Sequence, residues 1–162
     1  MKRGVMLVAL AVVAAPDRAA LATIERNLDR RIETLFDEPF LLLGNTRGLY
    51  LEGAGAIFTA EMALVLTPAG PFSPKPNPEE NERIRRKRLD RLPVLRSAME
   101  EFLVRSAAEL RDLPLDERLI VGITLFRRSS EDNTGIPSQI VFEGRKRDLI
   151  ERKTKAVLVR EF

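Results

Sequence analysis

Three groups of residues in this 162-residue chain have types and spacing that could support chemistry. The first is Tyr50, Glu52, Gly53 and Gly55, a phenol and a carboxylate beside a Gly-x-Gly pair. The second is Arg127 and Asp132, in the turn-rich run 127–137, RRSSEDNTGIP. The third is the basic run 83–88, RIRRKR.

Each group also has an ordinary structural explanation. A Gly-x-Gly pair can open a phosphate loop. A dinucleotide fingerprint then needs a third glycine and a helix, and a P-loop needs Gly-Lys-Ser/Thr. Here residues 56–66 read as strand, so the glycines are read as structural. They either form a tight hairpin at Gly53-Ala54-Gly55 or leave a bare stripe on a continuous strand, where a backbone or flat ligand could approach. Glu131, Asp132 and Asn133 offer oxygens, but not in EF-hand order, so no metal is assigned. The basic run could meet phosphates. Glu79–Arg83 and Glu82–Arg86 are spaced as i,i+4 ion pairs, however, and no aromatic residue is interleaved to stack on bases. Nucleic acid is therefore not the expected partner. A ligand is to be sought first around Tyr50, Glu52, Gly53, Gly55, Arg127 and Asp132. No catalytic residue and no cofactor is assigned.

The chain has no His and no Cys. Imidazole bases, thiol nucleophiles, Ser-His-Asp triads and the usual zinc sites are excluded. Carboxylates, Lys, Tyr or a Ser–Lys pair remain, with Glu52, Glu61 and Asp132 the acids to consider. The 27 basic and 24 acidic residues give a formal charge of +3, a mild excess for a nucleic-acid-coating chain. With 31% charged and 44% hydrophobic residues, one soluble domain with a real core is expected.

The N-terminus carries Lys2 and Arg3, then an apolar stretch over residues 5–15 that ends in small residues. Basic end, apolar core and small-residue exit are the parts of a secretory signal, and the stretch is too short to span a bilayer. Residues 1–14 are read as a signal peptide and 15–162 as a single domain, in the periplasm or secreted. Cleavage after Ala14 would leave 25 basic against 24 acidic residues. The competing reading keeps the stretch in the fold of a cytoplasmic protein.

The elements that must position these groups follow from periodicity. Asp17 can cap a helix whose apolar stripe is Leu21, Ile24, Leu28, Ile32 and Leu35. Residues 47–66 read as the core of a sheet, with the even-numbered positions from Ala56 to Leu66 as the core face. Residues 67–78 hold five of the ten prolines and read as an extended connector. Asn77 caps a long helix to about Leu113, expected to kink or break at Pro93. Residues 118–126 are apolar on both faces and read as a central strand. Residues 138–143 read as its antiparallel partner, 144–154 as a short basic helix and 156–159 as a last strand.

Strands grouped in this way predict an α+β, two-layer domain with an antiparallel sheet covered by one long and one shorter helix. Three functions are carried forward. The first is an exported, non-catalytic module that binds a protein or cell-envelope component. The second is a cytoplasmic phosphate- or nucleic-acid-binding protein using residues 83–91. The third is a carboxylate-based enzyme.

Overall fold

The computed structural model describes residues 15–67, 76–153 and 155–162. The signal-like residues 1–14 and most of the proline-rich connector lie outside the described residues. The elements run α1 (Arg18–Glu33), β1 (Leu41–Leu42), β2 (Arg47–Leu51), β3 (Gly55–Ala63), α2 (Pro78–Glu109), β4 (Arg118–Leu125), β5 (Gln139–Arg145), α3 (Lys146–Ile150) and β6 (Leu158–Glu161).

Both long helices start where their caps direct. The Asp17 carboxylate accepts from Ala20 N at 2.7 Å, and the Asn77 side chain accepts from Glu80 N at 2.8 Å. These bonds satisfy donors that a helix leaves free in its first turn. The second helix continues through Pro93 without a break, with the proline exposed.

The strand order is β1-β3-β4-β5-β6, with β2 also paired to β3. β1 and β2 line the same edge of β3, facing its two ends. Strands β3 and β4 are parallel, and the other pairs are antiparallel. The sheet is thus mixed, which corrects the antiparallel expectation. The reason is the connection. The chain leaves β3 through α2, which carries it back to the end where β3 began, so β4 starts in the same direction.

One face of the sheet supplies the core. Ala56, Phe58, Ala60 and Met62 of β3 join Leu119, Val121 and Ile123 of β4 and Ile140 and Phe142 of β5. Leu28 and Ile32 of α1 and Leu95, Met99 and Leu103 of α2 close over them. Each fully buried large side chain contributes roughly 1.5–3 kcal/mol.

Buried cations fasten α2 at three points. Arg91 donates to the Leu64 carbonyl and to Glu38 Oε2 at 3.1 Å, and its guanidinium lies 4.6 Å from the centre of the Phe36 ring. Arg88 pairs with Glu131 at 2.6 Å with both side chains buried. Lys146 donates to the carbonyls of Leu110, Arg111 and Leu113 at 2.7, 2.9 and 2.5 Å. These carbonyls follow the last turn of α2, where helix acceptors are free and a cation suits the dipole. Burial lowers the Lys146 pKa, against a smaller upward pull from Asp112.

Candidate functional site

The residues singled out in the sequence fall at opposite ends of β4. Tyr50, Glu52, Gly53 and Gly55 gather at the β2–β3 hairpin, beside the start of β4. Gly53 and Gly55 have φ of 78° and 120°, in the region that favours glycine, and Ala54 N donates to Leu51 O at 3.0 Å. Of the two readings of these glycines, the structure takes the hairpin. A Cβ at Gly55 would lie 1.9 Å from the Arg118 carbonyl oxygen, so the neighbouring backbone occupies the approach.

Glu117, a residue the sequence reading passed over, anchors this turn. One of its oxygens accepts from the Tyr50 hydroxyl at 3.0 Å and from Gly53 N at 2.9 Å. Burial raises the Tyr50 pKa, and Glu117 adds to the shift.

Arg127 and Asp132 lie beyond the other end of β4. Arg127 donates to the Ile136 carbonyl at 2.8 Å, and Asp132 accepts from Thr134 N at 2.9 Å and faces Arg85 at 3.4 Å. Both hold their own loop in shape. Glu131, between Arg88, Thr67 and the Arg128 amide, ties that loop to α2. Burial alone would raise the Glu131 pKa, but Arg88 and Thr67 hold it below the ordinary value. Glu52 in the hairpin, Glu61 on β3 and Asp132 in this loop do not converge.

The basic run on α2 is largely committed. Arg85 and Arg86 meet Glu82 at 3.1 and 3.4 Å, Lys87 pairs with Glu38, and Arg88 is buried. The expected Glu82–Arg86 pair forms, whereas Arg83 faces Glu80, not Glu79, at 4.0 Å.

The surface with open valences lies on the sheet face turned away from the core and at the β6 edge. Across that face the strand register aligns Leu49, Ile57, Ile120, Glu143 and Leu158 in one row. Leu49 is 47% exposed and Leu158 54%. Arg118 and Arg160 bracket the row by pairing with Glu143, Arg118 at 3.1 Å.

At β6, Phe162 and Gln139 exchange both backbone bonds, at 3.0 and 3.3 Å. Antiparallel ladders alternate. Leu158 and Arg160 therefore also turn their backbone groups to β5, and Val159 and Glu161 turn theirs outward. Among the described residues no hydrogen bond meets these outward groups.

Beside this edge a groove of about 830 Å³ runs between the last turns of α2 and the segment leading into β6. Val104 and Ala108 of α2 face Ala156 and Val157 across it. Arg105, Arg152, Lys153 and Lys155 line it together with Glu100, Glu101 and Glu109, and Arg105 stands on α2 among the three acids. Lys153 is engaged by Asp148 at 2.7 Å and Glu151 at 2.9 Å, Glu101 by Arg31 at 3.0 Å, and Glu109 by Asn27 at 2.9 Å. Among the described residues no ion pair is formed by Arg105, Arg152 and Lys155, nor by Glu100 and Glu109, whose Asn27 partner is neutral. Arg152 and Lys155 also hold positive φ, 49° and 62°, where non-glycine residues are uncommon.

No helix among the described residues is long and apolar enough to cross a membrane. Comparisons of the chain with protein-family models, curated proteins and solved structures find no match.

Proposed function

We propose that the chain is an exported, non-catalytic, two-layer module that binds a protein component of the cell envelope through its outer sheet face. The observation that carries this reading is the row Leu49–Ile57–Ile120–Glu143–Leu158, apolar and partly exposed at four of its five positions, with Glu143 held between Arg118 and Arg160. Apolar surface gathered in one patch marks an interaction site more often than scattered apolar residues do, and arginine is enriched at protein interfaces. The signal-like residues 1–14 supply the export half of the proposal. The dispersal of Glu52, Glu61 and Asp132 gives a carboxylate mechanism no shared pocket. The inward turn of Arg88 and Arg91 leaves the phosphate-binding alternative mainly Arg83 and Arg86.

The test has two parts. Fractionation of cells expressing the full gene, with intact masses, should find periplasmic protein lacking about the first fourteen residues. A photo-crosslinking residue at Ile120 should then capture an envelope protein, and the same residue at Glu33 on α1 should not. Full-length protein confined to the cytoplasm overturns export. Equal capture from Ile120 and Glu33 overturns the assignment of the sheet face.

A further inference from the structure

We propose that β6 pairs antiparallel with β6 of a second copy of this chain, Val159 opposite Val159, joining the two sheets across a two-fold axis. This goes beyond the binding-module reading and does not depend on it. Three observations meet at the site.

The first is the open edge. Val159 and Glu161 present backbone N–H and C=O groups that nothing among the described residues satisfies. At the opposite edge, Asp29 and Glu25 of α1 take the Thr46 and Gly48 amides. An unpaired edge is a template for another strand. Pairing about a two-fold axis uses the same edge of both copies, so the assembly closes at two chains and does not run on as a fibre.

The second is register. In an antiparallel ladder, residues with outward backbone groups face one another. An axis at Glu161 sets two carboxylates opposite, and an axis at Arg160 sets two guanidiniums opposite. Like charges in such positions destabilise a pair. An axis at Leu158 draws Val157 and Lys155 into the ladder. But β6 begins at Leu158, and Lys155 has a φ of 62°, off the extended path. An axis at Val159 keeps the pairs within β6. It sets Val159 against Val159 on the helix face and Leu158 against Arg160 on the outer face. β-branched pairs suit a sheet, and the arginine stem covers a leucine that is 54% exposed in the single chain. The strand is thus complementary to itself in this register.

The third is the groove. It leaves the helix face beside β6 open, so an incoming strand has room there, and Glu161 of each copy falls opposite Val157 in the wall of the other's groove. A surface that meets its own copy must carry both signs. Here Arg105, Arg152 and Lys155 stand with Glu100 and Glu109, all without ion pairs among the described residues.

The experiment is sedimentation equilibrium of the purified protein. The mass should rise from one chain to two between low-micromolar and sub-millimolar protein. Val159→Pro should weaken the dimer at least about tenfold, with its thermal midpoint in dilute solution nearly kept. Register is read from cysteine variants, since the chain has no Cys. Opposed Cα atoms in a hydrogen-bonded pair lie about 5.5 Å apart, within the span of a disulfide. Under mild oxidation Val159→Cys should form a disulfide dimer well before Leu158→Cys or Glu161→Cys. A single-chain mass at all concentrations up to about 0.5 mM overturns the proposal, since a dimer weaker than that is no stable state. So does a dimer that Val159→Pro leaves intact, or crosslinking at Leu158→Cys or Glu161→Cys as fast as at Val159→Cys. The cysteine variants decide the matter if Val159→Pro does not fold.

Discussion

The two edges of this sheet meet opposite treatment. At the β2 edge, α1 lays acidic side chains along the strand. Glu25 accepts from Gly48 N at 2.7 Å while Arg18 clasps both Glu25 oxygens at 2.7 and 2.8 Å and reaches the Gly48 carbonyl at 3.3 Å. Asp29 accepts from Thr46 N at 2.9 Å and from its hydroxyl at 2.5 Å. Two outward donors that could template another strand, Thr46 N and Gly48 N, are consumed by a helix of the same chain. At β6, Arg96 of α2 pairs with Glu161 at 2.6 Å, a side-chain contact that leaves the backbone free. A sheet edge is a liability unless it is covered, so an edge left open beside one that is sealed is a natural place for a partner.

The sharpest way to break the sealed edge is Gly48→Ala. The new Cβ would stand 2.5 Å from Phe58 Cε1 and 3.2 Å from Glu25 Oε1. Phe58 is fully buried and has nowhere to retreat. A loss of about 2–4 kcal/mol is expected, read as a lower urea midpoint at unchanged slope. A change below about 0.5 kcal/mol would mean that α1 and β2 separate easily, and the contrast between the edges would collapse.

Next in size is Glu25→Ala, which leaves Gly48 N without its acceptor and Arg18 without its carboxylate. The expected cost is about 1–3 kcal/mol. The same group gives the edge a pH dependence. Burial alone would raise the Glu25 pKa, but the Arg18 guanidinium and the Gly48 amide outweigh it and hold the value below the ordinary 4.5. A carboxylate whose folded pKa is depressed adds stability above its unfolded value. That stability is lost as pH falls through the folded value. Unfolding midpoints should therefore drop as pH falls below about 5, and Glu25→Gln should flatten that limb. Glu131, also held low, contributes to the remaining slope. Identical acid limbs in wild type and Glu25→Gln would show that Glu25 does not carry the linkage.

Much of the sealed half was legible in the sequence. Asp17 as cap, the stripe from Leu21 to Ile32 and the even-numbered face of β3 all rest on local periodicity, and all appear where expected. The central place of β4 also followed from its two apolar faces. Strand direction did not, because it depends on where a 32-residue helix delivers the chain, and no local pattern records that. The roles of Glu25 and Glu117 were hidden for a similar reason. Their partners Gly48 and Gly53 lie 23 and 64 residues away in sequence. The groove escaped notice because its walls come from α2 and the approach to β6. The basic composition of 144–154 was visible, but which of its charges would go unpaired was not.

The smallest effect on stability is expected at the open edge and bears most directly on function. Val159→Pro removes an outward N–H and fixes φ, and proline is tolerated on edge strands where the lost donor faces solvent. The fold should therefore change by no more than about 1 kcal/mol. Leu158→Ala serves as the control. It trims an exposed side chain on the other face of the strand, and should leave stability within about 0.5 kcal/mol. The decisive pattern is selective. If Val159→Pro unfolds the protein as Gly48→Ala does, β6 is held by its backbone as tightly as β2 and the two edges are alike. If it leaves stability untouched, the outward groups of β6 take no part in holding the fold, and the contrast between the two edges stands.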